Sequence, residues 1–183
     1  MPHLSKGIVQ VYTGNGKGKT TSAIGLAVRA RGSSLNVALL QFLKSYPSGE
    51  LKSLKKLGVY VKQYGRPCPA LPSGEPDPSC LAPVPDKDKH WALEGLKEAR
   101  KTIMSGQYDL VILDELNVAV HMGYISIDDV LSLIKEKPKQ VELVITGRKA
   151  KEELINAADL VTEMREIKHS YQKGMRARRG IEY

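Results

Sequence analysis

Glycines, ammonium groups and hydroxyls alternate in Gly14-Asn15-Gly16-Lys17-Gly18-Lys19-Thr20-Thr21 at a spacing suited to holding a polyphosphate. An apolar run, Ile8-Val9-Gln10-Val11-Tyr12, precedes it and a helical pattern follows from Ser22 to Ala30. Strand, glycine-rich turn, Gly-Lys-Thr and helix is the layout of a phosphate-binding loop. Glycines let backbone N–H groups face phosphate oxygens, and the helix start adds its dipole and its unpaired N–H groups. Lys19 is placed to reach the phosphates, and the Thr20 hydroxyl to ligate Mg²⁺. The common loop reads glycine, then four residues, then Gly-Lys-Thr. Here Thr13 stands at the first glycine's place; counted from Gly14 the loop is one residue short, and it carries an extra lysine, Lys17.

A second group of chemical residues closes the apolar run Asp109-Leu-Val-Ile-Leu-Asp114-Glu115. An acid at such a strand end lies beside the phosphate loop and holds Mg²⁺ directly or through water. Magnesium prefers hard oxygens and keeps several waters, so Thr20 and one of Asp114 and Glu115 suffice. A third segment, Val141-Glu-Leu-Val-Ile-Thr-Gly-Arg148, runs a strand into a turn whose arginine can pair with phosphate. His3, His90, His121 and His169 have no partner at metal or triad spacing and read as surface or loop residues. No Gly-x-Ser-x-Gly elbow supports a serine hydrolase.

The elements that must position these groups alternate between strand and helix periodicity. Strands are expected at 8–12, 36–42, 58–63, 109–114, 141–146 and 159–164, and helices at 19–31, 50–57, 88–105, 127–136 and 150–157. Gly32 and Gly106 are expected to close the first and third helices, and Ser126 to cap the fourth. The pattern predicts an α/β fold with a mostly parallel central sheet of about six strands flanked by helices.

The stretch 65–86 holds seven prolines and excludes helix and central strand. It reads as a lid or substrate loop, or as a surface excursion. Cys68 and Cys80 within it make neither a disulfide framework nor a zinc pattern, and Trp91 just beyond it is expected in the core. At 183 residues the chain is expected to form one domain over 1–183, with that loop and a basic tail at 168–183. The net charge of +8 suits a polyphosphate ligand as well as nucleic acid, and one Phe and one Trp argue against a base-stacking surface. There is no signal-peptide core and no membrane-length apolar run, so a cytoplasmic location is expected.

Together, Gly-Asn-Gly-Lys-Gly-Lys-Thr-Thr, Leu-Asp-Glu-Leu, Val-Ile-Thr-Gly-Arg and the ending Arg-Gly-Ile-Glu-Tyr resemble the P-loop corrinoid adenosyltransferases, from about Gly7 to Tyr183. The resemblance implies a RecA-like P-loop fold, usually in a homodimer, with ATP and Mg²⁺ as cosubstrate and metal and a reduced corrinoid as substrate. A flavoprotein is the electron donor it suggests. Cobalt(I) would attack C5′ of ATP and inorganic triphosphate would leave. Carried over by position, Gly14 through Thr20 hold the triphosphate, and Glu115 is where the family places a magnesium acid; Thr21 completes the same motif, and Arg148, read from its own segment, pairs with phosphate or is a solvated turn residue. Lys17 and Lys19 would stabilise the leaving group's charge. Better-known relatives carry an N-terminal extension, where here seven residues precede the first strand, and aromatics in the loop matching 65–86, where here there are none between Arg66 and His90. Leu71, Leu81 and Val84 are the apolar residues that loop offers instead. Two rival readings are a P-loop ATPase or kinase attacking the γ-phosphate, and a non-catalytic nucleotide-dependent corrinoid carrier or regulator.

Overall fold

A computed structural model describes residues 4–68, 84–169, 174–175 and 178–181. Six strands, β1 (Val9–Thr13), β2 (Val37–Phe42), β3 (Tyr60–Tyr64), β4 (Leu110–Asp114), β5 (Glu142–Thr146) and β6 (Leu160–Glu163), form one sheet in the order β3-β2-β4-β5-β1-β6. Every pairing is parallel. The helices are α1 (Lys19–Gly32), α2 (Gly49–Lys56), α3 (Pro85–Met104), α4 (Leu116–His121), α5 (Ile127–Glu136) and α6 (Glu152–Ala157). This is the RecA-like α/β architecture expected from the alternation.

Parallel strands covered on both faces read as unbroken apolar runs, and β2 (VALLQF) and β4 (LVILD) do so. Their side chains still alternate between faces. Val37, Leu39, Leu110 and Ile112 join Ala23, Ala27 and Ala30 of α1 and Leu54 of α2 in one core. Ala38, Leu40, Phe42, Val111 and Leu113 join Ala92, Leu96, Ala99 and Ile103 of α3 and the residues of α4 and α5 in the other. The alanine face of α1 lets that helix lie close to the sheet, which fixes where its N-terminus meets the ligand. Leu113 is fully buried, and its truncation to alanine would cost about 3 kcal/mol.

Several local expectations hold and several are corrected. Ser126 caps α5, its hydroxyl accepting from the Asp129 N–H at 3.0 Å. Gly106, at φ +70°, follows α3 as expected. Gly32 remains inside α1; Ser33 caps that helix and Ser34 takes the left-handed conformation at φ 62°. α3 starts earlier than expected because Pro85 needs no N–H donor at a first helical position, and Asp86 and Asp88 favour the dipole there. The short helix α4 has no counterpart among the expected elements, because it follows the two acids directly and is only six residues long. Cys68 is disulfide-bonded, which corrects the reading of the cysteines as unbridged; its partner, like most of the 65–86 loop, lies outside the described residues. Among the described residues no helix is long and apolar enough to cross a membrane.

Candidate active site

All six strands point the same way, so Thr13, Phe42, Asp114 and Thr146 end at one edge of the sheet, where ligands collect in open α/β folds. A cleft of about 630 Å³ opens there, lined by the phosphate loop from Gly16 to Thr21 and by Lys44, Glu115 and Arg148, among others. Among the residues flanking this edge, Leu43, Glu115 and Lys149 hold positive φ values of 57°, 63° and 60°. Non-glycine residues in that region carry backbone strain of about 1–3 kcal/mol each and persist where packing over-determines them. Here each directs, or sits next to, a charged side chain of the cleft.

The loop is braced from behind by the end of β6. Gly16 N–H donates to the Met164 carbonyl at 2.6 Å, and a Cβ on Gly14 or Gly16 would lie 2.5 or 2.7 Å from that same oxygen. Glycine is required at both positions by this contact, a reason for the glycines beyond ligand approach. Gly18 takes φ 118° as the N-cap of α1. Lys19, almost wholly buried, crosses the loop, its Nζ donating to the carbonyls of Gly14 and Gly16, both at 2.7 Å. Burial lowers its pKa, with the positive charge of Arg148 adding to the effect, while Glu115 and Asp114 oppose it. Lys17 and Thr21 are exposed on the cleft wall, whereas Gly14 and Asn15 stand outside the lining.

The two adjacent acids have opposite surroundings. Asp114 is 0% exposed, and four donors occupy its oxygens. Oδ1 accepts from Thr20 Oγ1 at 2.8 Å and Thr146 Oγ1 at 2.7 Å; Oδ2 accepts from Lys44 Nζ at 2.8 Å and Gln41 Nε2 at 3.1 Å. A carboxylate has about four lone-pair directions, so Asp114 has none left to give. Burial works against its ionisation, but Lys44 and the hydroxyl donors outweigh it and hold its carboxyl below the usual carboxylate range. Glu115 lines the cleft, and no donor among the described residues reaches its carboxylate. Burial and the neighbouring Asp114 charge push its pKa up, against the pull of Lys44, Lys19 and Arg148. Its N–H donates to Thr146 Oγ1 at 3.1 Å, which aims the side chain.

This arrangement fits Mg²⁺. Thr20 gives its proton to Asp114, which leaves its hydroxyl oxygen lone pairs free, and Glu115 offers an unsatisfied carboxylate to the same cleft. Among the described residues no three His, Cys, Asp or Glu side chains cluster to hold a metal alone; a bound Mg²⁺ would take the rest of its oxygen shell from water and phosphate, which it accepts readily.

The most similar chains settle the family. The family model described as ATP:corrinoid adenosyltransferase BtuR/CobO/CobP matches residues 5–183. This chain belongs to that family. It is 34% identical to the corrinoid adenosyltransferase of Escherichia coli (strain K12) over 179 residues, covering 97% of this chain and 86% of the relative. It is 34% identical over 181 residues to the corrinoid adenosyltransferase CobA of Salmonella typhimurium, with 97% and 86% covered. With the corrinoid adenosyltransferase of Pseudomonas aeruginosa it shares 35% over 179 residues, covering 97% and 84%.

Set in this family, the remaining lining residues are the least legible from sequence. Lys44, Tyr46 and the α2 start at Ser48 to Glu50 come from the β2–α2 connection, which has no motif. His169, expected as a loop histidine, lines the cleft together with Gly180 and Ile181 of the tail; its signal is the family segment Ile167-Lys-His. Asn117 donates from Nδ2 to the Gly147 carbonyl at 3.0 Å and so fixes the turn that presents Arg148. Trp91 is half-buried, not core; with Arg66, Pro67, Asp86, Lys87 and His90 it lines a second cavity of about 510 Å³. Of the apolar residues expected from the loop, Leu71 and Leu81 lie outside the described residues, and Val84 caps α3.

Proposed function

We propose that this chain transfers the 5′-deoxyadenosyl group of ATP to the cobalt(I) of a reduced corrinoid and releases inorganic triphosphate. The observation that carries the reading is the convergence of the phosphate loop, Thr20, Glu115 and Arg148 on one cleft in a chain of this family. Cobalt(I) of the substrate supplies the electron pair that forms the Co–C5′ bond. The C5′–O bond breaks, and its electrons leave on the triphosphate. The attacking atom needs no activation, so the protein's work is to orient C5′ and to stabilise charge on the departing group.

Thr20 and Glu115 would hold Mg²⁺, which when bound neutralises phosphate charge. Lys17, Lys19, Arg148 and the N–H groups of Lys17 to Thr21 bind the triphosphate, with Gly14 to Gly16 shaping the loop behind them. Asp114 acts behind them, orienting Thr20. The shortened loop, with its extra lysine, suits a triphosphate placed for attack at C5′ instead of at the γ-phosphorus. We assign the cavity beside Trp91 and His90 to the corrinoid side, since Ser45, next to Lys44 on the nucleotide cleft, hydrogen-bonds the Arg66 carbonyl that borders it. The whole of 1–183 would act as one unit in a cytoplasmic homodimer, with a flavoprotein as reductant; the family resemblance supports these last points.

The test is an anaerobic assay with chemically reduced cob(I)alamin, ATP and Mg²⁺. Light-sensitive adenosylcobalamin is the expected product. An unchanged corrinoid spectrum with ATP consumed would move the protein to the ATPase reading.

A further inference from the structure

The Asp114–Lys44 ion pair has one member facing the ligand. Asp114 is sealed from solvent, but the Lys44 side chain is 19% exposed and lines the cleft with the phosphate loop. We propose that Lys44 is a phosphate-binding residue of the active site, a cation that contacts the triphosphate from the β2 side. This rests on the nucleotide reading above and adds to it a residue that no motif marks.

The chain path shows how Lys44 is aimed. β2 ends at Phe42, and Leu43 then enters the left-handed region at φ 57° with its N–H bonded to the Tyr64 carbonyl at 2.7 Å. That turn takes Lys44 out of the strand direction. Its backbone is pressed against the end of β3, since a Cβ on Gly65 would lie 2.6 Å from Lys44 backbone atoms. The side chain is then fixed at its tip by Asp114 Oδ2 at 2.8 Å. An ammonium group has three donors, and this bond uses one. A lysine needed only to neutralise Asp114 could be wholly buried, yet this one is held at the cleft wall.

The sheet order gives the position a purpose. β4 and β5 separate β2 from β1, so the Lys44 side chain enters the cleft from the side away from β1, and its ammonium meets Thr20 of the loop on the same Asp114 carboxylate. Lys17 and Lys19 approach from β1, Arg148 from the end of β5, and Lys44 from the remaining side. A triphosphate that departs as a whole carries charge along its full length, and a cation beside Thr20 that comes from another strand adds to the charge the loop lysines supply. Because Asp114 also orients Thr20, one buried carboxylate holds both a cation and a hydroxyl toward the ligand.

The experiment is calorimetric titration of tripolyphosphate in the presence of EDTA, so that no effect can pass through magnesium. Wild-type protein is compared with Lys44→Met and Lys44→Arg, with circular dichroism and thermal unfolding on each. The expected result is a tenfold or greater loss of affinity in Lys44→Met, as for loss of a charge-assisted hydrogen bond, with most of it recovered in Lys44→Arg. Asp114→Asn and the double variant Asp114→Asn/Lys44→Met are titrated alongside, because in that pair no carboxylate is left buried without its cation. A tenfold weaker double variant supports the inference even where Lys44→Met alone fails to fold. Equal affinities within that pair, or between wild type and a folded Lys44→Met, would overturn it, leaving Lys44 a structural partner of Asp114. Wild-type protein that binds neither tripolyphosphate in EDTA nor ATP with magnesium would remove the nucleotide reading itself.

Discussion

The phosphate-loop cleft and the second cavity beside Trp91 are built differently. On the phosphate side, Thr20, Thr146 and Lys44 are joined through Asp114 by hydrogen bonds of 2.7–2.8 Å, and Lys19 bonds the loop carbonyls of Gly14 and Gly16 at 2.7 Å; all but Lys44, just beyond β2, sit on strand ends or the first turn of a helix. On the side of Trp91 and His90 the groups are half-buried and held by loop and helix-start contacts: the Ser45–Arg66 bond, an Arg66–Asp88 pair at 3.6 Å and a bond from the Val84 N–H to Asp88 Oδ2 at 2.7 Å, with a proline-rich connection as the frame. Under the proposed assignment of triphosphate to the first and corrinoid to the second, the difference suits the ligands. A triphosphate presents fixed charge, and rigid donors gain most when they need no reorganisation. A corrinoid is a large disc with apolar faces and polar side chains at its rim, for which shape and area matter more than any single bond.

Substitutions on the phosphate side should therefore have large, specific effects. Lys19→Ala should lower kcat/KM for ATP by roughly 10³-fold while leaving corrinoid affinity intact, as read by steady-state kinetics with each substrate varied. A comparable loss in corrinoid binding would mean the two sides are not separate.

The adjacent acids should separate next. Glu115→Gln should weaken Mn²⁺ or Mg²⁺ binding in the presence of ATP by about 100-fold, as for a lost charged ligand. The same variant should raise the stability of the ligand-free protein by about 1 kcal/mol at pH 7. Glu115 has a folded pKa above its ordinary value of about 4.3, so its ionised form costs stability. That cost is absent below the ordinary value, grows as pH rises towards the raised one, and is full above it. The stabilisation should therefore vanish near pH 4. Asp114→Asn should do the opposite, costing about 3 kcal/mol at pH 7 by leaving Lys44 without its partner. Asp114 has a depressed folded pKa, so its contribution is present above about pH 3.9 and is lost as pH falls through the depressed value. Thermal melts of both variants between pH 3 and pH 8 check the two signs.

On the open side the effects should be smaller. Trp91→Ala should raise the KM for corrinoid by about fivefold, with the KM for ATP unchanged and less than about 1 kcal/mol lost in stability, since the ring is only half-buried. Lys17→Ala should fall between the two sides. Lys17 is exposed, so solvent screens it, and a roughly tenfold fall in ATP affinity is expected. An unchanged affinity and unchanged triphosphate release would remove the role given to the extra lysine.

The same contrast separates what is legible in the sequence from what is not. The loop, the Asp114-Glu115 pair and Thr146-Gly147-Arg148 each follow an apolar strand, so period and position along the chain are enough to place them on one sheet edge. The division of labour between Asp114 and Glu115 is not legible. It depends on Lys44, Gln41 and Thr146, which converge on Asp114 only through the pairing of β2, β4 and β5. Lys44 follows no motif, and its direction depends on a left-handed Leu43 that propensity would not choose. Met164 behind the loop is hidden for the same reason, since the β1–β6 pairing that brings it there joins residues from opposite ends of the chain.

The most direct test of the central claim is ³¹P NMR of the phosphate product formed from ATP during corrinoid adenosylation. Attack at C5′ predicts intact tripolyphosphate in a one-to-one ratio with adenosylated corrinoid. Orthophosphate or ADP as the primary product would place the attack on phosphorus and contradict the account.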